Sequence, residues 1–89
     1  MKKGFVIANL DEEYLVSYSV TDGCISIAWG ISPEFAYMFK TIKEADEAVI
    51  KLESRYQLFV LGIKETETQI AVFPPRPGRY PDWLIRDLH

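Results

Sequence analysis

The sequence predicts an α+β domain, an antiparallel sheet of about five strands with one principal helix packed on one face. Three observations predict it. Alternating runs rich in Val, Ile, Phe and Tyr open the chain, one capped amphipathic stretch occupies its middle, and two further apolar runs follow. Strands, then helix, then strands again is an order that folds as an antiparallel sheet with its helix on one side.

Residues 4–10 and 14–20 alternate and are rich in β-branched and aromatic side chains, so both read as strands, with Asp11-Glu12-Glu13 as the turn between them. Thr21-Asp22-Gly23 carries the Asp-Gly turn signal, and residues 24–29 follow as the third strand of a meander. On that strand Ile25, Ile27 and Trp29 share one face, and Cys24, Ser26 and Ala28 the other. Strict alternation on the second strand sets Tyr14, Val16, Tyr18 and Val20 against Leu15, Ser17 and Ser19. The bulky face needs a cover. The small face of Ala8, Ser17, Ser26 and Ala28 reads as flat and unclaimed.

Ser32-Pro33-Glu34 places a capping serine, a first-turn proline and an acid together, which predicts a short helix over 33–38. Thr41 and Glu44 have the spacing of a capping box. The principal helix it opens spans 42–55 and carries Ile42, Ala45, Ala48, Val49, Leu52 and Tyr56 on one stripe. Lys43, Asp46, Glu47 and Lys51 occupy its other face, with Glu47 and Lys51 in the favourable order for an ion pair one turn apart. Residues 57–63 and 69–73 read as strands joined by the polar turn 64–68. The element order is therefore β-β-β-α-α-β-β. Residues 1–73 form the α+β domain, and the proline-rich tail 74–89 belongs to the same domain with a short helical turn at its end.

Composition narrows the function. A chain of 89 residues with 48% hydrophobic and 26% charged residues is an ordinary globular domain rather than a disordered segment. One cysteine permits no internal disulfide, and the longest uncharged run falls short of the ~20 residues of a membrane helix, so the expected location is cytoplasmic, with no membrane contact. The apolar N-terminal run stops at Asp11, too early for a signal peptide.

Tyr14-Leu-Val-Ser-Tyr, Asp22-Gly23, Trp29, Glu34-Phe-Ala-Tyr-Met-Phe-Lys40 and Thr41-Ile-Lys-Glu-Ala-Asp-Glu-Ala48 follow one another in order. Over residues 4–63 this resembles small uncharacterised proteins of bacteria and their phages, in which a hairpin, a short Ala/Phe segment, a capped Glu-Ala-rich helix and a strand succeed each other. The resemblance implies a fold and no catalytic residues, and the proline tail is not part of it.

Chemistry is sparse. His89 is the sole histidine and Cys24 the sole cysteine, which cannot supply a zinc set, and the isolated glycines form no phosphate-cradling loop. Glu12 or Glu13 with another acid could form a general acid-base pair, but they read as a charged turn. No enzyme activity, metal or cofactor is expected, and a small enzyme or ligand-binding domain ranks third among the functional readings. Lys2, Lys3, Arg76, Arg79 and Arg86 with Tyr80 and Trp83 suggest nucleic-acid binding as an alternative, against which thirteen acids outweigh ten bases for a net charge of −3.

The tail carries Pro74, Pro75, Arg76, Pro77, Arg79, Tyr80, Trp83 and Leu84 as the candidate interaction surface. Pro74 to Arg79 matches the proline-and-arginine spacing of an SH3 ligand, but it also suits a stiff strap that ends the last strand and buries Tyr80 and Trp83. The function expected is a non-enzymatic protein-binding module, such as a phage or mobile-element accessory protein that modulates a host protein. Its partners are an unidentified protein, a second copy as a homodimer, or both.

Overall fold

A computed structural model of the chain describes residues 3–52 and 57–75. Five strands, β1 (Lys3–Asn9), β2 (Tyr14–Thr21), β3 (Cys24–Gly30), β4 (Leu58–Glu65) and β5 (Ile70–Phe73), form one antiparallel sheet in the order β3-β2-β1-β4-β5. The helix α1 (Ile42–Leu52) packs on β1 and β4. This is the α+β architecture expected of the sequence.

Central β1 and β4 are buried on both faces, which is why Phe5-Val6-Ile7-Ala8 and Phe59-Val60-Leu61-Gly62-Ile63 are continuous apolar runs rather than alternating ones. On the helix face Ile7, Leu15, Phe39 and Val60 pack with Ala45, Ala48 and Leu52 of α1. On the opposite face Val6, Ala8, Tyr14, Leu61 and Ile63 form a second cluster, covered by Ala36 and Met38. Ala8 is fully buried there. The small face is thus claimed at β1, while Ser17, Ser26 and Ala28 on it are exposed.

The caps work as their residue types dictate. Thr41 Oγ1 accepts from the Glu44 N–H at 3.2 Å, and the Glu44 carboxylate accepts from the Lys40 N–H at 3.2 Å. Ala45 and Ala48 lie under the helix because only small side chains let it approach the sheet closely. The helix is described to Leu52, and Tyr56 with the predicted last turn lies outside the described residues. The turn before β5 is centred on 66–69, where Thr66 Oγ1 accepts from the Gln69 N–H at 3.2 Å and the Thr66 N–H donates to the Gln69 carbonyl at 2.8 Å.

Three expectations need correction. The segment 33–38 is not a helix: a 3-10 turn at Pro33–Phe35, capped by Ser32, gives way to extended backbone at Ala36. The reason is competition from the sheet. The Tyr37 N–H donates to the Leu15 carbonyl of β2 at 2.7 Å, while Phe39 exchanges both main-chain bonds with Phe5 of β1. Residues 37–39 therefore lie between β1 and β2, whose paired partners reduce to Ala8 and Tyr14.

The second correction concerns side-chain phase on β2. The register against β3 shifts between Leu15 and Ser17, so Val16 is an extra residue, a β-bulge. Beyond it Tyr18 and Val20 share a face with Leu15, not with Tyr14. The third concerns cover. α1 sits over β1 and β4, leaving the far half of the bulky β2–β3 face without the helix.

Candidate interaction surface

The distal part of the β2–β3 hairpin extends beyond the cover of α1. Its turn is two residues long, with Asp22 at φ 51° and Gly23 at φ 79°, the left-handed pair that matches the twist of a tight hairpin. Gly23 relieves the steric cost at the second position, and Asp22 tolerates the first better than most side chains. Every residue from Ser19 to Ser26 is exposed, so the distal half stands clear of the body as an arm.

An aromatic cluster fixes the base of this arm. Tyr18 stands edge-on to Tyr37 and to Phe39, with ring centroids 6.0 Å apart in both cases, and Tyr37 and Phe39 lie 5.0 Å apart. Such offset and edge contacts are the favoured geometry for aromatic rings. Tyr37 and Phe39 reach this face because their segment is extended and lies beside β1 and β2. The insertion of 37–39 both limits the β1–β2 pairing and buttresses the base of the arm.

Beyond the cluster the same face continues outward. Ile27 pairs with Tyr18 and is half-buried, while the next pair, Val20 and Ile25, is 48% and 39% exposed. Between Tyr14 and Gly30 the only charged side chain is Asp22, in a chain that is 26% charged overall. β3 is also an edge strand. Exposed edges are normally guarded by a charge, a proline or a bulge on the edge strand itself, and Cys24-Ile-Ser-Ile-Ala-Trp-Gly30 has no charge and no proline. At the opposite edge β5 is four residues long and is followed by Pro74 and Pro75.

Elsewhere the described residues offer little for chemistry. A shallow pocket lined by Pro33, Glu34, Met38, Ile63, Glu65 and Ile70 holds about 190 Å³ even with its open mouth included, below the ~300–1,000 Å³ of ligand sites. No group of three or more His, Cys, Asp or Glu side chains gathers in metal-binding reach among the described residues. Among them, no helix is long and apolar enough to cross a membrane. Glu13 supports its own turn, accepting from Asn9 Nδ2 at 3.0 Å.

Of the tail residues singled out from sequence, Pro74 and Pro75 are half-buried just past β5, and Arg76, Pro77, Arg79, Tyr80, Trp83 and Leu84 lie outside the described residues. His89 and Arg86 lie outside them too, and Cys24 is exposed beside the arm's turn. Sequence reasoning missed Val20, Ile25 and Ile27 as a surface, because it placed the helix over them. The dearth of charge from Tyr14 to Gly30 was the available signal. No protein-family model matches the chain, and no curated protein or solved structure is significantly similar to it.

Proposed function

We propose that the protein is a non-catalytic protein-binding module whose contact element is the β2–β3 arm. One observation carries the reading: Val20 and Ile25 are exposed on an arm whose only charge is Asp22. Large apolar side chains clustered on a projecting element with a single charge favour a protein surface over water or a polyanion. The arm offers no cation to a phosphate backbone, which weakens the nucleic-acid alternative. The stretch from Pro74 through Leu84 is a second candidate contact segment.

The test compares the wild-type chain with the Val20→Asp, Ile25→Asp double variant as bait in a bacterial lysate. A Lys43→Asp variant on the exposed side of α1 serves as control, and a salt series on DNA and RNA runs beside it. Partner proteins retained by wild type and control but lost by the arm variant support the reading. Retention that depends only on nucleic acid and collapses with salt contradicts it.

A further inference from the structure

We infer that β3 pairs antiparallel with β3 of a second copy of this chain across a two-fold axis at Ser26, joining two sheets into one. The inference rests on the reading of the arm as the contact element and names its partner.

With a two-residue turn at Asp22-Gly23, Thr21 and Cys24 form the hydrogen-bonded pair that closes the hairpin. Pairs alternate along an antiparallel ladder, so Ser26 and Ala28 also bond inward, to Ser19 and Ser17. The N–H and C=O of Ile25 and Ile27 therefore face away from β2, towards the side of the sheet on which no further strand pairs among the described residues. A two-fold at Ser26 sets Ile25 opposite the second copy's Ile27, and Ile27 opposite its Ile25. Each opposed pair exchanges two main-chain bonds.

Side chains and charge select a second copy as the occupant. Antiparallel pairing about Ser26 keeps the faces in phase, so Ile25 meets Ile27 on the apolar side, and Cys24 meets Ala28 while Ser26 meets Ser26 on the small side. Neither strand brings a charge to the seam. The two Asp22 side chains lie at opposite ends of the paired strands, so no like charges face each other. A two-fold pairing of identical patches is also the commonest way for a chain to associate with itself.

Ser26 supplies the experiment, because it is exposed and its replacement spares the core. Facing residues of a non-hydrogen-bonded pair have Cα atoms about 4.5 Å apart, within the reach of a disulfide. Ser26→Cys in a Cys24→Ser background is expected to cross-link into a covalent dimer under mild oxidation. Sedimentation velocity is expected to show wild-type dimers. Ser26→Lys and Ser26→Glu are each expected to weaken self-association by about 100-fold or more, while their mixture forms a heterodimer.

Two results overturn the inference: a wild type that stays monomeric at every concentration, or a dimer that Ser26→Lys leaves intact. If the wild type is monomeric yet the arm variant still loses lysate partners, the occupant is a different protein and the contact reading survives. If the arm variant loses nothing, that reading falls as well.

Discussion

Phe39 and Phe5 exchange both main-chain hydrogen bonds, at 2.8 and 2.9 Å, in the region where β1 would otherwise continue its pairing with β2. This one relationship organises the molecule. It brings the chain between the two strands and delivers it to the helix face, where α1 begins. It also limits the pairing of β2 with β1 to Ala8 and Tyr14, so that the distal part of the hairpin extends past β1.

Gly4 is the residue that allows so close an approach. A Cβ at that position stands 2.7 Å from the Phe39 carbonyl oxygen and 2.9 Å from Met38 Cγ. The side chain of Met38 can bend away, but a main-chain carbonyl cannot without loosening its neighbouring bonds. Gly4→Ala is expected to cost about 1–3 kcal/mol in chemical denaturation. A variant as stable as wild type contradicts the close packing of this segment.

Gly62 and Phe73 make a similar pair at the other end of the sheet. They are register partners, and a Cβ on Gly62 collides with the Phe73 ring. Gly62→Ala is expected to destabilise alone and to cost at least about 1 kcal/mol less in a Phe73→Ala background, as residues in contact couple. An additive double-mutant cycle contradicts the ring's placement.

Asn9 is the one buried polar side chain among the described residues, and its bonds account for its position. Its Oδ1 accepts from the Asp11 and Glu13 N–H groups at 2.9 and 3.1 Å, bracketing Glu12, whose φ of 61° is left-handed. Asn9→Ala leaves those donors unmatched and the turn unsupported, for about 1–3 kcal/mol. Asn9→Asp keeps the acceptor but sets a carboxylate against that of Glu13, so a loss is expected there too. Equal stability of all three proteins contradicts this role.

The legible parts of the fold were those written in local chemistry. Asp22-Gly23 specifies its turn, Thr41 and Glu44 specify the start of α1, and the stripe through Ala45, Ala48 and Leu52 specifies its buried side. The bulge at Val16 was not legible, because nothing in Leu15-Val16-Ser17 distinguishes it from regular alternation. The extended segment at 36–39 was hidden for a related reason. Ser32-Pro33-Glu34 is a sound helix start, and only non-local bonds to Leu15 and Phe5 stop the helix from continuing. Those two features place Val20, Ile25 and Ile27 on the open arm, so the candidate surface lay beyond local reasoning.

The helix offers a direct check on the legible part. Thr41→Ala is expected to cost about 1 kcal/mol through loss of the cap. Leu52→Ala is expected to cost about 2–4 kcal/mol, because a side chain only 7% exposed leaves a cavity under the helix. A Leu52→Ala protein that melts with wild type contradicts the buried stripe.

The most direct measurement of the account as a whole is amide hydrogen exchange on β3, residue by residue, over a range of protein concentrations. Ser26 and Ala28 bond inward to β2, so their amides are expected to be protected at every concentration. Ile25 and Ile27 face the open edge, so theirs are expected to exchange fast in dilute solution and to gain protection as the concentration rises. Fast exchange at Ile25 and Ile27 throughout, at concentrations up to the millimolar range, contradicts self-pairing through this edge.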